Sequence, residues 1–211
     1  MVSNTFVCPY AQSFPYTVRG SIDFSEKGVK VLSPVVYFGQ GEELTLRNLY
    51  DFGKRIKRSK AEIKKAYEIA KEVQGEFYKK CLEAGCEYLS SLKDGQKGMV
   101  IIGRPYNSFD PGANLNIHKK LMDLGVFPIP YDMLPIMEGA EQDEDLKDMY
   151  WGYGQKILRA AKFVKANPNL YGIYITNFGC GPDSFITHFF KKIIAGKPYL
   201  QLEIDEHSAD A

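Results

Sequence analysis

LYGIYITNFGCGPDSFITHFF, Leu170 to Phe190, is the stretch whose reading decides the fold. An apolar run rich in Ile and Tyr suits a buried strand, and DSFITHFF carries the apolar spacing of a helix. Between them a cysteine, Cys180, sits in a tight turn between two glycines. Three further apolar runs repeat the theme: GMVIIG (98–103), VFPIPY (126–131) and KPYLQLEI (197–204). The segments between the runs, ANLNIHKKLMDLG, DEDLKDMYWGYGQKILRAAKFVKANP and DSFITHFFKKIIAGK, read as helices that stop at Gly or Pro. Strands alternating with helices predict βαβ units and a parallel α/β sheet covered on both faces. The two prolines of VFPIPY suit an edge strand.

Upstream the pattern changes. Residues 1–40 carry Pro9, Pro15 and Pro34 and short runs such as YTV and KVL, which predict loops with one or two short strands. Residues 41–96 are helical in period and predict a long helical hairpin. Ser59 followed by Glu62 forms a capping-box pattern at the start of its second arm, and DGQKG ends it. Residues 97–211 form the parallel α/β domain, and the three parts are expected to make one compact unit.

Size and composition exclude several classes. The 211 residues suffice for a substantial core, and 45% hydrophobic with 25% charged content is ordinary for a globular chain. The 27 basic and 26 acidic residues nearly cancel, so overall charge makes no case for nucleic acid or a membrane surface. No apolar run approaches a membrane span, and the N-terminus lacks the layout of a signal peptide. Four cysteines without regular spacing do not form a disulfide framework, which makes a reducing cytoplasm the default compartment.

In an open parallel sheet, ligands bind beyond the carboxyl ends of the strands. That edge comprises GRPYNSFDPGANLN with Arg104, Tyr106, Asn107 and Asp110, then Asp132, then NFGCGPDS. Parallel strands put Arg104 and Cys180 on one rim. Cys180 lies where a helix begins, so free N–H groups and the helix dipole predict a lowered thiol pKa. Gly179 and Gly181 permit unusual backbone angles, and Ser184 or Asp183 is a candidate helix cap. A thiolate there suits a metal–sulfur ligand or a nucleophile; a structural cysteine in a tight turn is the plainer alternative. Arg104 suits a carboxylate or phosphate ligand, or else a local partner such as Asp110.

Other features point less far. FVCPYA resembles half of a redox C-P-Y-C motif, but Ala11 replaces the second cysteine and Pro15 argues against a helix there. Cys81 and Cys86 read as core, and His188 as a half-buried helix residue. The basic stretch GKRIKRSKAEIKK (53–65) reads as a solvated helix face. There is no Walker loop, no G-x-G-x-x-G after a strand and no H-E-x-x-H.

Taken together and in order, four motifs resemble one family: Cys8–Pro9 with SFPY, GRPYN with DPGANLNI, NFGCGPDSF, and KPYLQLEIDEHSADA. It is the 2-hydroxyacyl-CoA dehydratase-like, CoA-substrate-specific enzyme activase-associated family of uncharacterised type. The resemblance implies a flavodoxin-like lobe carrying a [4Fe–4S] cluster on cysteines near the sheet edge. It also implies an ATP-hydrolysing activase partner, delivering low-potential electrons, and an acyl-CoA substrate. Carried over, it makes Cys8 and Cys180 metal ligands, with Gly103, Gly179, Gly181 and Ser184 lining the cofactor. Arg104, Tyr106 and Asn107 would orient substrate or stabilise the cluster's charge. The remaining cluster ligands would come from another subunit, another domain or a non-protein group, and the chain is expected to be part of a larger polypeptide. The second expectation is a non-catalytic α/β domain that binds a CoA-like or anionic ligand or docks a partner, with Cys180 merely packed.

Overall fold

All four apolar runs are strands: β1 (Gly98–Gly103), β2 (Phe127–Pro130), β3 (Leu170–Thr176) and β4 (Tyr199–Glu203). The computed structural model describes residues 7–93, 95–137, 144–146, 148–177 and 179–204. Phe178 of the glycine turn and the DEHSADA tail therefore lie outside the described residues. The strands form one all-parallel sheet in the order β2-β1-β3-β4. β1 and β3 are central and pair from Gly98↔Leu170 to Gly103↔Ile175. Almost every residue in both is buried, as expected of a parallel strand covered on two sides. β2 lies at the edge, where Pro128 and Pro130 cost no ladder bonds to a missing neighbour.

The helices are α1 (Pro9–Ser21), α2 (Glu42–Arg55), α3 (Lys60–Ser91), α4 (Pro105–Phe109), α5 (Ile117–Asp123), α6 (Gly152–Ala166) and α7 (Gly181–Ile194). On one face of the sheet, Ile101, Ile173, Ile175 and Ile204 pack with Ile117 and Leu121 of α5. On the other, the Tyr174 ring stacks on Phe190 of α7 with centroids 4.6 Å apart. Gly172 leaves the space there that Phe190 and Ile194 approach. Lys165 and Lys197 donate to carbonyls at Ala195 and Val164, pinning the ends of α6 and α7 together. Right-handed crossovers require this arrangement: α5 leads leftward to β2 on one face, while α6 and α7 lead rightward on the other. The chain thus reverses direction between β1 and β3. This is a flavodoxin-like doubly wound sheet, and its topological switch falls between those two strands.

The chain divides into two compact units, Met1–Phe77 with Tyr150–Gly152 and Tyr78–Met149 with Tyr153–Ala211. The second contains the sheet. In the first, α2 and the start of α3 fold back on one another, with Lys71 of α3 paired to Glu42. The capping box is formed: the Glu62 carboxylate accepts from the Ser59 N–H at 2.8 Å, and Ser59 Oγ accepts from the Glu62 N–H at 3.2 Å. Residues 53–65 remain exposed except Gly53 and Ile63, with Lys54 and Arg58 in local ion pairs.

The N-terminal expectation needs correction. Pro9–Ser21 is a helix, and YTV lies inside it. Pro9 occupies the first turn, where a missing N–H costs nothing. Pro15 stands mid-helix, and the hydroxyls of Ser13, Thr17 and Ser21 bond back to preceding carbonyls. Ile22 to Tyr37 contain no helix or strand, so KVL is not a strand either. No residue of α1 is buried. Cys8 directly precedes the helix, so the objection to a redox-type cysteine drawn from Pro15 fails, although Ala11 still replaces the second thiol.

Candidate functional site

The site is built where β1 and β3 end. Gly103 closes β1 against its neighbour: a Cβ there would lie 2.7 Å from the Ile175 carbonyl oxygen and 3.0 Å from Ser108 Oγ. Only glycine allows that approach, and Arg104 follows it as the residue that leads into α4. β3 ends at Thr176, and Gly179, at φ +67°, takes the left-handed conformation that brings Cys180 to the head of α7. Gly181 has an ordinary φ, so only one of the two glycines is needed for backbone angle. Neither has an atom of another described residue within 4 Å of a would-be Cβ, and both are exposed.

Arg104 is held from the β3–α7 turn. One terminal nitrogen lies 3.0 Å from Asp183 Oδ2 and donates to Asn177 Oδ1 at 3.0 Å. The two charged side chains are 10% and 3% exposed, so the ion pair is buried. Its angle falls short of a well-aligned hydrogen bond, although Arg104, the Asn177 N–H and the Cys180 side chain all act to keep the Asp183 carboxylate charged, and the buried Arg104 Nε has no partner among the described residues. The guanidinium lies 4.7 Å from the centre of the half-exposed Tyr106 ring. Asn177 extends the link by donating to the Ile204 carbonyl beyond β4 at 3.0 Å, so three strand ends are joined through one amide. Asp110, the local partner named as one of the two alternatives for Arg104, instead accepts from the Ala113 N–H at 2.8 Å and shapes its own turn.

The turn that follows Arg104 carries further buried polar groups. Asn107 is fully buried, and neither its amide nitrogen nor its oxygen has a partner among the described residues. Ser108 Oγ and Asn114 Oδ1 are buried and unpartnered as well, while Asn114 Nδ2 donates to the Ser108 carbonyl. Polar atoms left unpaired in an interior call for an explanation, and a ligand site is one.

Cys180 is on this rim, yet its titration runs opposite to expectation. It is itself the helix cap, its sulfur accepting from the Asp183 N–H at 3.4 Å; neither Ser184 nor Asp183 fills that place. Ser184 is exposed and its hydroxyl donates to the Cys180 carbonyl. Burial pushes the Cys180 thiol up, and the Asp183 carboxylate adds to this, outweighing the Asp183 N–H and Arg104, which act downward. Burial likewise raises Asp183 despite Arg104 beside it.

The other candidates have surroundings of their own. Asp132 follows β2, its carboxyl pushed up by burial against the pull of Lys156, and it in turn helps raise the half-buried Cys81 thiol. Cys86 and His188 are exposed, correcting their reading as core and half-buried. Cys8 belongs to the first unit. Among the described residues no three His, Cys, Asp or Glu side chains are grouped to hold a metal ion. A [4Fe–4S] cluster takes three or four protein thiolates, and among the described residues of its own unit this rim supplies Cys180 alone. The donor set of the rim therefore does not fit that cluster. Sequence reading singled out Arg104 and Cys180 but missed Asn177 and the pairing role of Asp183, although both stand in the quoted NFGCGPDS turn.

No helix among the described residues is long and apolar enough to cross a membrane. No protein of curated function and no solved structure matches the chain significantly. The model of one family, described as the CoA enzyme activase uncharacterised domain, matches residues 1–134, taking in β1, the Arg104 turn and β2 but not the Cys180 turn. That span is well over half of the chain, and the protein belongs to the CoA enzyme activase uncharacterised domain family.

Proposed function

We propose that the domain is a dehydratase-like α/β module of a CoA enzyme activase system, and that its working site is the rim at the β1/β3 switch. The observation that carries the reading is the buried contact of Arg104 with the β3–α7 turn, at the position where doubly wound sheets bind ligands. In this role Arg104, Tyr106 and Asn107 orient the substrate, an acyl-CoA in the dehydratase-like version. The full redox version adds an ATP-hydrolysing activase as electron donor and a [4Fe–4S] cluster on Cys8 and Cys180, with Gly103, Gly179, Gly181 and Ser184 around it. Since the rim presents one thiol, the cluster would need ligands from outside it, and no electron-transfer step is assigned to this chain's residues.

A second reading has its own support. A buried arginine contacted by a carboxylate beside unpaired amide groups is suited to binding an anionic or CoA-like ligand without chemistry. The experiment that separates the two is iron and acid-labile sulfide analysis of protein purified without oxygen, with Cys8→Ala and Cys180→Ala alongside. Iron and sulfide that fall in both variants support the cluster reading. Iron absent throughout, with ligand binding retained, refutes it and leaves the binding module.

A further inference from the structure

The polar groups around Arg104 are more specific than a general ligand crevice requires. We propose that the Arg104–Asn107 corner is a binding site for a ligand carboxylate, with Asp183 standing in the ligand's place when the site is empty. The inference rests on the reading of the rim as a ligand crevice, though not on a cluster being present.

Arginine binds carboxylate best through two parallel N–H donors, and Asp183 uses only one nitrogen while Nε stays buried and unpaired. A planar carboxylate meeting both donors would satisfy Nε, and the unpartnered Asn107 amide is a further donor in the same turn. Asp183 is a poor permanent occupant. It is 2% exposed on the first turn of α7, and the Asn177 N–H, Cys180 and Arg104 approach its carboxylate without a well-aligned hydrogen bond to either oxygen. The exposed Gly179 and Gly181 give an approach to the rim, and the half-exposed Tyr106 ring forms its wall.

Exchange of one carboxylate for another has a definite proton balance. Among the described residues, the titratable and charged groups facing Asp183 are Arg104 beyond β1, Tyr174 of β3 and Cys180 at the head of α7, with the Thr187 hydroxyl nearby. Arg104 is the one cation among them. Once the ligand takes Arg104, Asp183 cannot reach water and stays buried, so it leaves the pair by accepting one proton from solution. No bond other than that O–H forms, and nothing is oxidised or reduced. Binding therefore takes up a proton and tightens as pH falls.

The test is calorimetric titration of the air-purified, iron-free chain with acetate, with monomethyl succinate as a carboxylate borne on a longer neutral chain, and with inorganic phosphate. The expected result is carboxylate binding whose affinity rises as pH is lowered from 8 to 6 (approaching about tenfold per pH unit). Asp183→Asn should bind at least about tenfold tighter at pH 8, because the competing carboxylate is gone, and should lose the pH dependence. Arg104→Lys should weaken binding in both backgrounds. Preference for monomethyl succinate over acetate would assign the carboxylate to an acyl chain; equal binding would assign it to a free acid. Binding of phosphate alone, pH-independent binding in the unaltered chain, or no carboxylate binding up to about 50 mM, weaker than the millimolar range, each overturns the proposal. The wild-type pH series needs no variant to fold. Because iron-free protein is used, this result and the iron analysis succeed or fail independently.

Discussion

Breaking the Arg104–Asp183 pair from one side should cost far more than removing it whole. The two side chains are 10% and 3% exposed, so a lone survivor has almost no water to turn to. Asp183→Leu leaves a buried guanidinium held only by neutral groups, Asn177 and the Tyr106 ring, and a loss of about 3–5 kcal/mol follows for an uncompensated buried charge. Arg104→Met strands the Asp183 carboxylate to a similar extent. It also deprives Asn177 Oδ1 of its donor, which adds about 1 kcal/mol. In the double variant both charges are gone and only the Asn177 acceptor is left unpaired, so its total loss should be about 1–2 kcal/mol. Urea unfolding of the four proteins at pH 7 gives the coupling directly, and an interaction energy of about 4 kcal/mol or more is expected. If the two single losses simply add in the double variant, Arg104 and Asp183 are not a buried pair and the convergence of the two turns is refuted.

Four further predictions follow from individual contacts. Gly103→Ala sets a Cβ 2.7 Å from the Ile175 carbonyl, a backbone atom unable to move aside, and should lower stability by about 1–3 kcal/mol, read as a drop in Tm. Burial places Asp183 above the ordinary aspartate range, so the folded state binds more protons than the unfolded chain. Its contribution is therefore favourable below the unfolded pKa and is lost as pH rises to the folded one; Asp183→Asn should flatten that part of the stability–pH curve. Cys180 should react with iodoacetamide more slowly than a free thiol at pH 8 and speed up only above the usual thiol range, and Asp183→Asn should shift that profile to lower pH. Ser59→Ala removes half of the capping box and should cost about 1 kcal/mol, with loss of helicity by circular dichroism.

The sheet was readable in the sequence because burial on both faces leaves few alternatives: GMVIIG and LYGIYIT are continuous apolar runs, and each became a strand over the same residues. The edge position of VFPIPY followed from proline's missing donor, and the rim shared by Arg104 and Cys180 from parallel direction alone. The N-terminal helix was hidden because Pro9 and Pro15 read as breakers, although one falls where proline is harmless and the other is tolerated. What Arg104 binds was not readable either, since Asn177 is 73 residues away and only the folded sheet brings it near. The sign of the Cys180 shift failed for a related reason. Sequence shows the helix end that lowers a thiol pKa, but not the burial that raises it more.

The most direct test of the account is the side-chain ¹H–¹⁵N spectrum of Arg104 in the intact chain, assigned with Arg104→Lys. A guanidinium 10% exposed and held by Asn177 and Asp183 should give a slowly exchanging Nε–H signal with hindered rotation, shifted by Asn177→Ala and by Asp183→Asn. An Arg104 signal that exchanges with water as a free arginine does, and ignores both substitutions, would contradict the claim that the two strand ends meet at this residue.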